Sequence, residues 1–359
     1  MIISRTPYRV SFFGGGTDYP VWYRQYGGAV LATTINKYCY ITCRALPPFF
    51  NHKHSIVWSE LERPDRVDQI KHPAVRESLK FMDMADRGME IHHVGDLPAR
   101  SGLGTSSSFT VGLLNGLHAL KGNMASKRQL ATEAITIEHD WIKENVGVQD
   151  QISAAHGGFN VIEFMPDGDY VVRPVVVTPQ RLDALQDHLQ LFFTGISRTA
   201  SHIAGDKIKA IPRKTASLDT MRRMVDDAVG IVTGSNDITD FGELLHESWV
   251  LKRGITKSVS TPLVDSVYES ARSAGAIGGK LLGAGGGGFM LLFTPPEQQE
   301  SVRNALSDLV HIPFRFERDG SSIILYEPEN TCSDVEPPVV PPLPLTATQP
   351  VSESIRSAV

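Results

Sequence analysis

Asp96-Leu-Pro-Ala-Arg-Ser-Gly-Leu-Gly-Thr-Ser-Ser-Ser108 runs straight into an apolar stretch over residues 109–120, and the junction reads as an anion cradle. Gly102 and Gly104 let the backbone turn tightly and approach a ligand, while the helix that follows presents free N–H groups and the positive end of its dipole. Thr105, Ser106, Ser107 and Ser108 add hydroxyls at the same mouth, and Arg100, Ser101 and Leu103 complete a loop expected to hold phosphate. A Walker loop is excluded because no Gly-Lys pair precedes the hydroxyl residues. A dinucleotide fingerprint is excluded because Ser107 stands where its third glycine belongs. The plain alternative is a Gly/Ser turn in front of a core helix.

Two further segments weigh against that alternative. In Pro7-Tyr-Arg-Val-Ser-Phe-Phe-Gly-Gly-Gly-Thr-Asp-Tyr-Pro20 an alternating strand sets Val10 and Phe12 on one face and Arg9 and Ser11 on the other. It empties into three glycines and Asp18. In Gly278-Gly-Lys-Leu-Leu-Gly-Ala-Gly-Gly-Gly-Gly-Phe289 the glycines lead into an apolar strand over 289–293, a pattern suited to close approach by another backbone or a ligand.

Together these segments resemble the three signature motifs of the superfamily named for galactokinase, homoserine kinase, mevalonate kinase and phosphomevalonate kinase, the GHMP kinases. The likeness covers nearly all of residues 1–328. Within it, Arg5-Thr-Pro-Tyr-Arg-Val-Ser-Phe-Phe-Gly-Gly-Gly-Thr-Asp-Tyr-Pro20, the loop 96–104 and Phe192-Phe-Thr-Gly-Ile-Ser-Arg-Thr-Ala200 are similar to the D-glycero-D-manno-heptose 7-phosphate kinases. The resemblance implies an α+β, two-domain fold. Its N-terminal α/β domain is like that of a small-subunit ribosomal protein, its C-terminal domain is ferredoxin-like, and the active site lies in the cleft between them. It also implies ATP as co-substrate with Mg²⁺, and a sugar phosphate as acceptor. The new phosphate goes onto the anomeric oxygen to give a 1,7-bisphosphate, toward nucleotide-activated heptose for surface polysaccharide.

Bulk properties are compatible with this. A chain of 359 residues exceeds what one core usually serves, so two domains are expected at 1–178 and 179–328, meeting near Thr178-Pro-Gln180. Residues 329–359, with Pro337-Pro-Val-Val-Pro-Pro-Leu-Pro-Leu-Thr346, are expected to form a disordered Pro-rich tail. A net charge of −5, with no basic block interleaved with aromatics, argues against a nucleic-acid partner. The N-terminus lacks a secretory apolar core and no span approaches the ~20 apolar residues of a membrane helix, so a cytoplasmic chain is expected. Cys39 and Cys43 share one face of a strand expected at 37–45, about 13 Å apart, and cannot pair with each other.

Strands are also expected at 2–4, 8–12, 56–58, 90–94, 159–164, 170–177, 189–193, 289–293, near 314 and at 323–326, with helices at 74–84, 106–120, 127–143 and 296–309. The helix at 127 begins with the capping box Ser126-Lys-Arg-Gln129, and Leu130, Ala134, Ile137 and Trp141 form its inward stripe. Glu138 lies on or beside that stripe, where a carboxylate is either a paired core acid or a metal ligand. The resemblance implies the second, with Ser106 as the other protein ligand, a set that suits water-retaining Mg²⁺.

Asp150 in Asn145-Val-Gly-Val-Gln-Asp-Gln151 reads from its neighbours alone as a turn or N-cap carboxylate. The resemblance implies that it is the catalytic Asp, with Arg9 against it favouring charge that develops on the transferred phosphoryl group. Asp18 matches the aspartate that hydrogen-bonds sugar hydroxyls. Gly15 and Gly16 stand where galactokinases carry an acid and a histidine, which implies room for a bulkier sugar. Gly285 and Gly286 of the third motif are expected beside the substrate. Arg198 is expected to grip the substrate phosphate, with Lys252 and Arg253 as the next choice. His52, His54, His92 and His93 form no metal-ligand pattern and read as surface or strand histidines. A kinase for a fucose-like hexose and a non-catalytic sugar sensor are the competing readings. Arg9, Ser106, Glu138 and Asp150 together argue against the sensor, because binding alone needs no base.

Overall fold

The strands at 2–4 and 8–12 are one strand, β1 (Ile2–Phe13). Pro7 lacks the N–H that a ladder uses, yet the strand passes through it because the register against the next strand shifts between Pro7 and Tyr8, a bulge where proline is tolerated. The neighbouring β2 (Gly28–Ala45) is twice as long as expected, 18 residues. Its first half, Gly28-Ala-Val-Leu-Ala-Thr-Thr-Ile35, is buried throughout, so it lacks the alternation that reveals a half-exposed strand.

The computed structural model describes residues 1–47, 49–195 and 200–328. The Pro-rich segment 329–359 and Arg198 lie outside the described residues.

The strands that follow are β3 (His54–Val57), β4 (Leu61–Glu62), β5 (Met89–Gly95), β6 (Phe159–Phe164) and β7 (Tyr170–Pro174). Then come β8 (Leu189–Phe193), β9 (Gly278–Leu281), β10 (Phe289–Phe293), β11 (Val310–His311), β12 (Phe316–Glu317) and β13 (Ser322–Tyr326). Nine strands build the first sheet, in the order β13-β1-β2-β5-β3-β4 with β12 and β6 also on β2 and β7 on β6. Its pairs are antiparallel except β3 with β5. Four antiparallel strands, β11-β8-β10-β9, make the second. Residues 316–326 therefore return to the first sheet, although they follow the second in sequence.

The helices are α1 (Pro20–Tyr26), α2 (Pro73–Phe81), α3 (Thr105–Leu120), α4 (Lys127–Thr136), α5 (Gln149–His156) and α6 (Pro179–Asp187). Those among the second-sheet strands are α7 (Ala200–Ala210), α8 (Thr215–Thr233), α9 (Thr239–Arg253), α10 (Pro262–Ser273) and α11 (Gln299–Ala305). None among the described residues is long and apolar enough to cross a membrane.

The second sheet is covered on both faces, and its central strand β10, Phe289-Met-Leu-Leu-Phe293, reads as an unbroken apolar run for that reason. Leu189, Leu191, Phe289, Leu291 and Phe293 join the main core with Val10, Phe12 and the inner residues of α8. Phe192, Met290 and Leu292 point the other way, toward Trp249, Tyr268 and α10.

The expected helix 127–143 is interrupted. After α4 the chain takes a wider π turn, Ile137–Trp141. Leu130, Ala134 and Ile137 stay buried, but the extra residue in the turn rotates Trp141 outward to 43% exposure, against the expected stripe. The capping box is half made. Ser126 Oγ accepts from the Gln129 N–H, while the Gln129 side chain donates forward to Glu133 instead of back. The helix expected at 296–309 is shorter, a 3₁₀ turn at Pro296–Gln298 followed by α11.

Candidate active site

Beyond the Pro7 bulge, β1 directs Arg9 into a cleft of about 460 Å³. Asp150 enters the same cleft from the first turn of α5. Arg9 Nε donates to Asp150 Oδ1 and Nη2 to Oδ2, both at 2.7 Å, and Nη1 donates to the Gly102 carbonyl at 2.6 Å. One buried guanidinium thus ties the candidate base to the glycine loop, and its planar fork fixes the carboxylate in two dimensions. The Asp150 side chain keeps 22% exposure, enough to meet a substrate.

The loop 100–104 ends at Gly104, the left-handed N-cap of α3 at φ 72°, and no side chain caps the helix. Its first N–H groups are therefore available to an anion. Gly102, at φ 88°, lies against the turn that follows β9: a Cβ there would stand 2.6 Å from the Leu282 carbonyl oxygen, and one at Gly283 would stand 2.5 Å from the Gly102 Cα. The first and third glycine segments meet backbone to backbone, which neither could do with a side chain.

Arg100, Gly102, Gly104, Thr105, Ser106 and Ser107 line the cleft. Ser101 and Leu103 do not. Both are fully buried, the Ser101 carbonyl accepting from Phe289 N–H and the Leu103 carbonyl from Arg9 N–H. Of the third motif, Gly283 and Ala284 line the cleft. Gly285 and Gly286 instead pack against Val259, whose carbonyl accepts the Gly286 N–H at 3.0 Å, so the reading that set them beside the substrate is corrected to a packing role.

Glu138 lies behind this wall, 1% exposed. Its Oε2 accepts from Ser107 Oγ at 2.9 Å and from Gln151, and its Oε1 has no partner. Burial, with a smaller contribution from the Glu144 charge, pushes the carboxyl up to about 8. A buried carboxyl with one oxygen unfilled fits a cation, which would supply the missing partner and favour the ionised form. Successive helical residues point about 100° apart, so Ser107 faces Glu138 while Ser106 faces the cleft. The pairing of Ser106 with Glu138 expected from sequence is corrected: Ser107 is the serine bonded to Glu138.

Asp18 is 2% exposed and is held by the Gly16 N–H at 2.8 Å and by Gln149 Nε2 at 2.9 Å. Burial raises its pKa, against the lowering effects of the Gly16 bond and the Lys207 charge. Gly147 makes room for it, since a Cβ there would overlap Asp18 Oδ2 at 1.8 Å. Gly15 faces open space, whereas Gly16 is held at φ 111° with its would-be Cβ 3.0 Å from Leu218. Only Gly15 opens room; Gly16 serves the backbone.

Of the expected phosphate grips, Arg253 pairs with Asp265 and lies over Trp249 and Tyr268, away from the cleft. Lys252 does reach the cleft, 4% exposed and not on a solvated face. Sequence reasoning missed Lys207 and Lys280, each 3% exposed and lining the same cleft. Lys280 carried a readable signal, a lone lysine in the buried run Gly278-Gly-Lys-Leu281.

Two family domains match this chain, the GHMP kinases N terminal domain over residues 70–158 and the GHMP kinases C terminal domain over 228–311. The chain is 29% identical over 295 residues to the D-glycero-alpha-D-manno-heptose 7-phosphate kinase of Campylobacter jejuni, covering 79% of this chain and 86% of that one. It is 25% identical over 355 residues to the galactokinase of a Roseiflexus species, covering 86% and 88%. The crystal structure of a D-glycero-D-manno-heptose 1-phosphate kinase from Bacteroides thetaiotaomicron superposes with a TM-score of 0.67 at 24% identity, covering 89% of this chain and 98% of the other. The chain thus carries matches to both the N-terminal and the C-terminal domain of the GHMP kinases, and it folds as their solved relatives do.

Proposed function

We propose that this protein transfers the γ-phosphoryl group of ATP to the anomeric hydroxyl of D-glycero-D-manno-heptose 7-phosphate, giving the 1,7-bisphosphate and ADP. The reaction would take place in the cytoplasm, toward nucleotide-activated heptose. The observation that carries the reading is the Arg9–Asp150 fork beside the uncapped start of α3, which sets a base and a phosphate site in one cleft. The similarity to the Campylobacter jejuni enzyme supports the choice of sugar.

In this reading the triphosphate rests on the free N–H groups at the start of α3 and on the Gly102–Gly104 turn. Asp150 accepts the proton of the anomeric hydroxyl as its oxygen bonds the γ-phosphorus and the bond to the ADP oxygen breaks. Arg9, already bonded to both the Asp150 carboxylate and the Gly102 carbonyl, holds the base in line with the loop. Asp18, fixed by Gly16 and Gln149, orients the sugar hydroxyls, and Gly15 leaves space for the seventh carbon. Ser106 and Glu138 would hold Mg²⁺, whose charge neutralises phosphate oxygens when bound.

The test is a mass spectrum of the product formed from ATP, Mg²⁺ and heptose 7-phosphate, beside galactose and L-fucose. A bisphosphate only with the heptose is the expected result. Faster turnover of either neutral hexose would replace the substrate and keep the chemistry.

A further inference from the structure

Arg9 is matched by Asp150, so the buried charges left in the cleft are Lys207, Lys252 and Lys280 against the single carboxylate of Asp18. Among the described residues none of the three lysines makes an ion pair. Each comes from a different element, α7, α9 and β9. Two are pinned by backbone carbonyls: Lys280 Nζ donates to Phe12 O at 2.6 Å, and Lys252 Nζ to Leu281 O at 2.6 Å and Gly283 O at 2.8 Å. Lys207 lies over the Tyr19 ring, 5.7 Å from its centroid.

Unpaired buried ammonium groups are costly, and a fold retains them where a ligand supplies the counter-charge. Three cations against one carboxylate leave an excess of two, the charge a phosphate monoester nearly carries at neutral pH. Burial lowers all three lysines, Lys280 to about 7; Lys280 and Lys207 add to it at Lys252, and Lys207 adds to it at Lys280. A dianion among them would restore their charge.

The position favours the acceptor over ATP. The Asp18 carboxylate acts on all three lysines, Asp150 also acts on Lys207, and Lys280 holds the end of β1 where it enters Gly14-Gly-Gly16. In the kinase reading Asp18 and Asp150 face the acceptor, and Lys252 also reaches the loop 100–104, through Gly283.

We infer that Lys207, Lys252 and Lys280 form a preorganised site for an anionic group already present on the acceptor, a phosphate monoester, and that they select phosphorylated over neutral sugars. The inference rests on the kinase reading above and specifies the chemistry of its acceptor.

Steady-state kinetics of the full chain, Lys207→Met and Lys280→Met with heptose 7-phosphate, with the same heptose lacking its phosphate, and with varied ATP test it. The parent should prefer the phosphorylated heptose. Each variant should raise the acceptor KM about 10- to 100-fold, as expected for a lost charged hydrogen bond, while the ATP KM stays nearly unchanged and the preference shrinks. An unchanged acceptor KM, or a loss on the ATP side, overturns the inference.

A second readout needs no turnover. Millimolar inorganic phosphate should raise the melting temperature of the parent clearly more than that of the Lys207→Met/Lys280→Met double variant, which keeps only the start of α3 to bind it and should melt no lower than the parent without phosphate because buried charges have been removed. No shift in the parent overturns the site. If the parent phosphorylates no sugar phosphate yet is stabilised through these lysines, the heptose reading fails and the anion site stands. If it is an active heptose 7-phosphate kinase and the variants keep its acceptor KM, the site fails and the activity stands.

Discussion

Arg9 and Asp150, 141 residues apart in the chain, meet fork to carboxylate with both oxygens bonded at 2.7 Å. Gly104 packs directly against the pair: a Cβ there would lie 3.2 Å from Arg9 Cγ and 3.4 Å from Asp150 Cγ. The candidate base, the cation that orients it and the glycine loop are therefore packed into one unit.

Asp150→Asn tests that unit. The amide cannot accept the hydroxyl proton, and it turns an N–H₂ toward one Arg9 donor, so both chemistry and orientation suffer. Turnover is expected to fall about 10²- to 10⁴-fold with little change in the ATP KM. Steady-state kinetics giving near-normal kcat would remove Asp150 from the mechanism.

Glu138→Gln separates a cation site from a structural acid. The amide keeps a donor or acceptor toward Ser107 and Gln151 and removes a carboxyl that burial already holds up at about 8, so the metal-free protein should melt no lower than the parent. The magnesium concentration for half-maximal activity should rise roughly 10-fold or more. An identical magnesium titration would make Glu138 structural.

Gly283→Ala probes the contact between the glycine segments. Its methyl would fall 2.5 Å from Gly102 Cα, with φ at 72°, so the loops must part. A loss of about 1–3 kcal/mol in urea-unfolding stability is expected, together with a raised ATP KM. Wild-type values for both would show that the approach is not needed.

Acid should loosen the fold through histidines kept neutral by burial. His72 and His156 are both lowered to about 4, chiefly by desolvation, from an ordinary value of 6.5. Their folded pKa is depressed, so their contribution is present above about 6.5 and is lost as pH falls from there toward 4, where the unfolded chain binds protons the folded one refuses. Each should add about 1.4 kcal/mol per pH unit to the slope of stability in that window. Urea midpoints at pH 7.5, 6 and 5 for the parent and His156→Gln measure it; parallel pH profiles would contradict the assignment.

The sequence by itself determined the phosphate loop, because that loop rests on short-range facts, whereas the superfamily and the pairing of Arg9 with Asp150, 141 residues apart, followed from the resemblance of the motifs. Two glycines before an apolar helix can do little else than turn and expose N–H groups, and the motif wording carries the rest. The strands at 159–164, 189–193 and 289–293 were legible to the residue, since each is a bounded apolar or alternating run. Only the tertiary structure decided which faces are buried on both sides, and so the first half of β2 escaped notice. It alone showed that residues 316–326 return to the first sheet, and that a π turn swings Trp141 outward. The three lysines show the limit most clearly. Lys207 stands in an ordinary helical context, where a lysine is solvated by default, Lys252 was expected only as a second-choice phosphate grip, and Lys280 showed only as a lone lysine in a short buried run. They become one buried cluster only when α7, α9 and β9 close around Asp18, because desolvation and charge-to-charge distance are properties of the packed chain and of no local stretch of it.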